Sequence, residues 1–383
     1  MKRLLTGGAS LAFALLPLHA FAQSSVTLYG VIDEGINYTT NASGHSAVQM
    51  ESGYATGSRW GLKGSEDLGG GLKAIFQLEN GFNAGTGGLG QGGRLFGRQA
   101  YVGLSSATLG AVTMGRQYDS VVDYLGPVTA NGNWAGSLFS HPLDNDNTNN
   151  SFRLNNTVKY TSANYRGLTF GGLYGFSNQA GQFSNNRAYG LGARYVGGPL
   201  TVAAAYMEIN NPGSSTNTLG SLTNDTNFTA ARQRVWGAGV NYKIGNPTTV
   251  GFVYTHTDLS NAIGSEYTGT FTTPASSLKF DNFELNVKQQ ITPGVFVGAL
   301  YDYTRVHVTN TAGKSTPNWN EVGLMADYAF SARTDVYVQG MYAHVSGGGA
   351  GAGVLNMATL VGATASSTTA NQLLVRVALR ARF

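Results

Sequence analysis

The sequence predicts an all-β fold, a closed antiparallel barrel of sixteen transmembrane strands. Charged residues make up only 11% of the 383 residues and hydrophobic residues 42%, whereas ordinary soluble domains carry roughly 25% charged residues. No apolar run long enough for a transmembrane helix follows residue 22. Short runs that alternate apolar and polar residues recur instead, as in strands with lipid on one face and water on the other. A closed sheet pairs every backbone polar group within the hydrocarbon layer.

The first 22 residues have the features of a cleaved export signal. Lys2 and Arg3 form a basic start, Leu11–Leu16 is an apolar run, and Ala20-Phe21-Ala22 fits the small-x-small cleavage pattern. A membrane anchor is the alternative, but the apolar run is short and no stop-transfer segment follows. We therefore expect a signal peptide over residues 1–22 and a barrel over residues 23–383. Without the two basic residues of the signal, the formal net charge falls from +4 to +2.

The strands are predicted from their period of two, and the last one is the clearest. Between Leu373 and Phe383, one face is wholly apolar and the other carries Arg376, Arg380 and Arg382. Sixteen such runs are found, an even number as in bacterial single-chain barrels. They cover approximately 27–38, 59–66, 71–82, 97–105, 111–117, 156–162, 168–176, 188–196, 200–209, 234–243, 249–258, 281–290, 295–306, 320–330, 334–345 and 371–383.

The connections between these runs are of two kinds that alternate strictly. Eight are long and polar, and seven are short and turn-like, as expected of long outer loops and tight inner turns. The short ones are Asp67–Gly70, Ser106–Gly110, Ala163–Gly167, Gly197–Pro199, Gly245–Pro247, Ile291–Gly294 and Ser331–Arg333. Twenty-two strands would leave too few residues for such loops, and eight would leave most runs unused. At sixteen strands a barrel encloses an aqueous lumen.

Several stretches are similar to one known family. Ser25–Gly30 is similar to its opening strand, Ser58–Ala74 to its second and third strands, and Gly97–Leu104 and Gly115–Tyr118 to its fourth and fifth strands. The terminal Phe383, after alternating residues, resembles the signal that the barrel-assembly machinery reads. These residues resemble the general-diffusion porins of Gram-negative bacteria, particularly the betaproteobacterial branch.

The resemblance implies a homotrimer of barrels in the cell outer membrane, each a water-filled channel for passive diffusion of small hydrophilic solutes and ions. The third loop, residues 118–155, would fold into the lumen as a constriction. The implied partners are outer-membrane lipid and lipopolysaccharide, the barrel-assembly machinery, and small solutes and anions. No enzyme activity, catalytic residue, cofactor, metal or nucleic-acid partner is expected.

In this family a basic cluster on the wall faces acidic residues of the third loop. The matching wall residues are Arg59, Arg98 and Arg153. The loop residues that could face them are Asp119, Asp123, Asp144 and Asp146. Further cations expected to line the lumen are Lys73, Lys159, Arg376, Arg380 and Arg382. The enteric porins' Pro-Glu-Phe-Gly-Gly loop motif has no close copy here.

Alternation places Arg59 and Arg153 on the wet face, but it does not settle Arg98. Arg98 shares a face with Val102 and Leu104, so either that strand faces lipid with Tyr101, or a bulge intervenes, or the strand lies beside the trimer axis and carries apolar residues on both faces. The wall arginines predict a modest preference for anions, because fixed charges act strongly where a pore is narrow.

Other functions fit the sequence less well. Gly88-x-Gly90-x-x-Gly93 matches a dinucleotide fingerprint by letter, but it follows no strand of a βαβ unit and opens no helix. A barrel enzyme would need an acid, a base and a nucleophile that converge. A substrate-specific porin with a tuned third loop remains the alternative channel. Recognition of the outer loops by antibodies or phages is compatible with a channel.

Overall fold

The computed structural model describes residues 24–383, and the predicted signal peptide lies outside them. These residues confirm the closed antiparallel barrel of sixteen strands. The barrel strands are β1 (Ser25–Ala42), β2 (Arg59–Gly69), β3 (Leu72–Gly81), β4 (Gln99–Ser106), β5 (Gly110–Gln117), β6 (Leu154–Thr161), β7 (Leu168–Gly175), β8 (Ala188–Gly197), β9 (Leu200–Asn210), β10 (Arg232–Ile244), β11 (Thr248–Ser265), β12 (Gly269–Thr292), β13 (Val295–Asn310), β14 (Asn318–Ala329), β15 (Thr334–Ser346) and β16 (Asn371–Arg382).

The barrel closes because its first and last strands pair. The register of β1 and β16 runs from Val31 opposite Arg382 to Thr39 opposite Leu374. Phe383 continues this pairing through two backbone hydrogen bonds of 3.0 Å with Gly30. A closed ladder leaves no row of unsatisfied edge groups.

The two faces of the wall differ as the alternation predicts along most of the strands, and β16 is an example. In β16, Val377 is 60% exposed on the outer face, whereas Arg376 is fully buried inside. The outer face is the one that contacts lipid in such a barrel. Among the helices in residues 24–383, none is both long and apolar enough to span a membrane.

The sequence predicts a long connection at residues 259–280, and this prediction is wrong. β11 continues to Ser265 and β12 begins at Gly269, so the two strands form a tall hairpin with a three-residue turn. Strand positions above the lipid layer need no apolar outer face, and the hydrophobic alternation therefore fades although the pairing continues. Three short strands lie in the other outer loops, at His45–Ser52, Phe228–Thr229 and Gly313–Ser315.

The third loop, residues 118–153, lies inside the barrel. It forms five short helical turns, at Val121–Leu125, Gly126–Val128, Asn131–Ala135, Ser137–Phe139 and Pro142–Asp144. Its apolar side chains join wall residues in two buried clusters, one containing Phe139 and Met341 and the other containing Leu125 and Val235. Burial of each large apolar side chain contributes roughly 1.5–3 kcal/mol. The apolar core of the molecule therefore lies between the third loop and the wall.

Candidate functional site

A cavity of about 780 Å³ lies between the third loop and the opposite wall. Of the described residues, six that line it are cationic and two are acidic. The cationic residues are Arg59, Arg98, Arg153, Lys288, Arg380 and Arg382, and the acidic residues are Asp327 and Asp335. The three arginines predicted to lie together on the wall thus line one cavity.

Arg98 is held at the cavity by a carboxylate and a phenol. Its side chain donates from Nε to Glu79 Oε1 at 2.7 Å and from Nη2 to the Tyr118 hydroxyl at 2.9 Å. In a setting where Arg98 is only 7% exposed, the adjacent carboxylate compensates most of its positive charge.

Arg98 faces inward because it precedes the first residue of β4 and does not follow the alternation of that strand. Within β4, Val102 and Leu104 are exposed on the outer face. Tyr101 lies inside, where its hydroxyl donates to Gln77 Oε1 at 2.9 Å. The alternative in which the strand faces lipid with Tyr101 is therefore wrong.

Glu79 on β3 is the shared counter-ion of the cluster. Its Oε1 lies 3.7 Å from Arg59 Nη1 and accepts a hydrogen bond from the Tyr118 hydroxyl at 3.0 Å. Its Oε2 accepts from the Tyr29 hydroxyl at 2.8 Å. The sequence places Glu79 on the wet face but does not show this pairing, because the pairing depends on the register of three strands and on the start of the third loop.

Arg153, the last residue of the third loop, is compensated least. It is 4% exposed, and its guanidinium carbon lies 5.8 Å from the centroid of the Tyr118 ring. The only hydrogen bond of its side chain within residues 24–383 goes to the Ser151 carbonyl oxygen at 3.3 Å, and no carboxylate oxygen there comes within 4.0 Å of the guanidinium group. Burial and the neighbouring charge of Arg98 lower the pKa of Arg153 to about 9.

Two of the predicted loop carboxylates bind groups of the loop itself and of the adjacent wall. Asp119 accepts hydrogen bonds from the Val121 amide at 2.7 Å and from Asn147 Nδ2 at 2.6 Å. Asp123 forms an ion pair of 2.7 Å with Lys159 of β6. Burial raises the pKa of Asp119 to about 6.

The other two loop carboxylates also have partners other than the wall arginines. Asp144 accepts from the Ser151 hydroxyl at 2.6 Å, and Asp146 binds His141 Nδ1 at 2.7 Å and the Thr255 hydroxyl at 2.6 Å. Burial and the charge of Asp146 raise the pKa of Asp144 to about 8. The expectation that loop acids face the arginines is not met, because these carboxylates bind backbone amides and side chains of the buried loop and side chains of the adjacent wall strands.

His141 connects the third loop to two wall strands, and no pattern in the sequence marks it. Its Nε2 lies 3.2 Å from Glu284 Oε2 on β12 and 3.8 Å from Asp302 Oδ1 on β13. Burial lowers the pKa of His141, but the carboxylates of Asp146 and Asp302 raise it more, to well above the usual range. The raised pKa and the three neighbouring carboxylates favour the protonated form of His141 at neutral pH.

A second ion-pair group joins three outer loops and was also not predicted. Asp225 of the fifth loop binds Arg116 at the end of β5, and its other oxygen lies 3.7 Å from Arg94 of the second loop. Arg116 Nη1 in turn donates to the Arg153 carbonyl oxygen at 3.1 Å. No sequence pattern brings these residues together, because the contacts depend on how the loops fold.

Arg376 is buried in the wall and does not line the cavity. Its Nη2 lies 3.1 Å from Asp33 Oδ1, its Nη1 donates to Asn37 Oδ1 at 2.8 Å, and its guanidinium carbon lies 4.4 Å from the centroid of the Tyr54 ring. It faces inward as predicted, but its charge is neutralised within the barrel wall.

Of the four remaining predicted lining residues, two line the cavity and two do not. Arg380 and Arg382 line the cavity, where both bind Asp335, at 2.9 Å and 2.6 Å. Lys159 is engaged by Asp123, and Lys73 lies exposed beside the inner turn between β2 and β3. The cavity therefore draws its positive charge from β2, β12, β16, the third loop and the residue that precedes β4.

Known proteins with similar sequences and structures are porins. Residues 9–348 match the family model described as Gram-negative porin. An outer membrane porin protein of Bordetella pertussis is 34% identical over 381 residues, which cover 90% of this chain and 94% of that protein. The outer membrane porin protein 32 of Delftia acidovorans is 34% identical over 191 residues, which cover 47% of this chain and 50% of that protein.

Solved structures of low sequence identity share the fold. The anion-selective porin from Comamonas acidovorans has a TM-score of 0.71 at 21% identity, over 94% of this chain and 100% of that chain. The trimer form of OmpT from Vibrio cholerae has a TM-score of 0.65 at 17% identity, over 94% of this chain and 99% of that chain.

Proposed function

The chain belongs to the family of Gram-negative porins, and from this premise we propose that its channel has a modest preference for anions. As an outer-membrane porin it is a water-filled channel for passive diffusion of small hydrophilic solutes and not an enzyme. The observation that carries the proposed preference is the excess of cationic side chains around the cavity, six against two acidic ones in the described residues.

Local charge placement, and not net charge, produces this preference. The mature chain is expected to carry a formal charge of only +2, which is too small to bias ions at a distance. Within the narrow part of a pore, by contrast, water is scarce and screening is incomplete. Arg98 is compensated by Glu79, so Arg153 and the part-exposed Arg59 supply most of the field from their side of the cavity.

The third loop forms the constriction in this proposal. Support comes from its position inside the barrel and from its contribution of Asn131, Trp134, Asn149 and Asn150 to the lining of the cavity. These neutral side chains and the arginines line the same cavity, so a passing anion meets both amide and guanidinium groups. The solved Comamonas porin, described as anion-selective, is consistent with this interpretation.

The remaining family properties are proposed for this chain on the same premise. The barrel assembles as a homotrimer, as a relative from Vibrio cholerae is described in a trimer form. Its exposed apolar outer face contacts outer-membrane lipid and lipopolysaccharide. The signal peptide is removed after Ala22, and the exposed ring of Phe383 is available to the barrel-assembly machinery.

The reversal potential of the purified protein in planar bilayers tests the proposed preference. A gradient of potassium chloride is suitable because its two ions have nearly equal mobility in water. The proposal predicts a reversal potential of the sign that an excess chloride permeability produces at neutral pH. A reversal potential of the opposite sign would overturn it.

A further inference from the structure

The third loop rests on wall positions that have no side chain. Lumen-facing glycines of β8, β10, β13 and β14 lie directly beneath apolar side chains of the loop. They are Gly192 under Tyr124, Gly237 under Leu125, Gly239 under Val128, Gly298 under Trp134 and Gly323 under Phe139. The third loop therefore follows a row of glycines across the inner wall.

The contacts at these positions leave no room for a methyl group. A Cβ placed on Gly192 would lie 2.5 Å from Tyr124 Cδ2, and its three nearest atoms would all belong to Tyr124. A Cβ on Gly298 would lie 2.5 Å from Trp134 Cη2, and again its three nearest atoms would belong to that one side chain. Carbon atoms in contact are normally about 3.5–4.0 Å apart.

Backbone conformation does not explain these glycines. Gly192, Gly237, Gly239, Gly298 and Gly323 all lack a positive φ, so any residue can adopt their backbone geometry. Glycine within a strand weakens it and commonly marks a site where another part of the structure approaches closely. At Gly192 and Gly298 the approaching part is the third loop alone, and at the other three glycines it is the third loop together with a neighbouring wall strand.

The loop side chains above the row cannot turn aside easily. The Trp134 ring packs edge-to-face on Phe139, with centroids 5.4 Å apart, and on Phe296, with centroids 6.4 Å apart. A methyl group beneath Trp134 would therefore push the loop away from the wall. The open space on its other side is the cavity that Trp134 itself lines.

We propose that this row of glycines is the surface against which the third loop packs, and that it thereby sets the free cross-section of the channel. Without wall side chains the loop stands at the closest possible distance from the wall, which leaves the widest opening on the side of the arginines. The glycines act as positioning residues, because they do not contact the permeating solute. This inference rests on the proposed function of the chain as a channel that the third loop narrows.

The substitution Gly298→Ala tests the proposal by single-channel conductance and by liposome swelling with neutral sugars of increasing size. The expected result is a lower conductance and a steeper decline of swelling rate with sugar size. The variant Gly298→Ala/Trp134→Phe should recover much of both, because the smaller ring makes room for the added methyl group. The matched control is Gly340→Ala on β15, where a Cβ would meet only Val375 Cγ2, at 4.0 Å.

Three results of these measurements would overturn the proposal. Conductance of Gly298→Ala equal to that of the wild type would overturn the proposal, and so would a loss that Trp134→Phe does not relieve or that Gly340→Ala reproduces. If Gly298→Ala does not fold, Gly192→Ala with and without Tyr124→Leu gives the same comparison. A wild-type protein that conducts no ions would instead contradict the proposed function, independently of the glycine row.

Discussion

Three arginines around the cavity differ in how much of their charge is neutralised. Arg98 is bound by Glu79 at 2.7 Å, and Arg59 lies 3.7 Å from the same carboxylate. The side chain of Arg153 contacts the Tyr118 ring and one backbone carbonyl, so no carboxylate neutralises its positive charge directly. Ion preference should therefore respond unequally to the removal of these three side chains.

The substitution Arg153→Gln is expected to weaken the anion preference. A unit charge about 8 Å from an ion's path, at an effective dielectric constant of about 40, is worth about 1 kcal/mol, or about fivefold in ion concentration. With screening at about 0.1 M salt, the ratio of chloride to potassium permeability should fall about two- to fivefold. The reversal potential measures this ratio.

A matched control separates local charge from net charge. Arg333→Gln removes the same charge from an exposed inner turn and should leave the permeability ratio unchanged. Equal effects of the two substitutions would contradict the assigned role of Arg153.

Removal of the counter-ion Glu79 should strengthen the anion preference, whereas removal of Arg153 should weaken it. Glu79→Gln keeps the size and shape of the side chain and one acceptor oxygen, but it replaces the other oxygen by a donor NH2 group and leaves Arg59 and Arg98 without their shared carboxylate. We expect the ratio of chloride to potassium permeability to rise about two- to fivefold, by the same Coulomb reasoning. The exposed carboxylate of Asp67 provides the control variant Asp67→Asn, and a fall in the ratio for Glu79→Gln would count against the account.

At the scale of elements, the third loop is held by apolar packing and by polar contacts with the wall, among them those of the buried His141. His141 lies among Asp146 of the loop, Glu284 of β12 and Asp302 of β13. Removal of one partner from a buried ion pair leaves an uncompensated charge and typically costs about 3–5 kcal/mol. This contact therefore ties the middle of the loop to the wall.

The substitution His141→Ala should loosen the third loop without opening the barrel. The expected result is protease cleavage within residues 118–153 of the folded protein and larger fluctuations of the single-channel current. The control His45→Ala removes an exposed histidine of the first loop and should change neither. Wild-type protease resistance in His141→Ala would show that this ion pair does not anchor the loop.

The contact of His141 with these carboxylates predicts that the mobility of the third loop increases at alkaline pH. Because the folded state raises the pKa of His141 well above the usual value of about 6.5, the imidazolium stabilises the loop fully below that pH. This contribution is lost as the pH rises through the elevated folded-state pKa. Current fluctuations of the wild type should therefore increase at strongly alkaline pH, whereas His141→Ala should fluctuate already at neutral pH. A wild-type current that is equally steady from neutral to strongly alkaline pH would contradict this prediction.

The alternation of apolar and polar residues predicts the strands correctly where lipid contacts the barrel wall. Where no lipid contacts the wall, this alternation is lost and the prediction fails. β16 has the predicted faces because its outer side must be apolar. The upper parts of β11 and β12 were predicted to be loop, since no lipid contacts them. In β6, Asn156 has a φ of 55° beside a register shift, and Leu154 is consequently buried inside the barrel.

At the scale of the whole molecule, the strand number and the closure of the barrel could be predicted from composition and period alone. The partners of the charged residues could not. Asp119 and Asp146 have the chemistry to face the arginines, but their positions follow from the path of a long buried loop. The row of wall glycines was not recognised either, because a glycine in a strand shows its purpose only once the approaching side chain is known.

The most direct test of the account is the ion selectivity of the wild-type channel at increasing salt concentration. Fixed charges inside the lumen should favour chloride at about 0.1 M salt, where the Debye length is about 10 Å, and much less at about 1 M, where it is about 3 Å. The account predicts an anion preference that declines steadily over this range. A preference for cations, or an anion preference independent of salt, would contradict it.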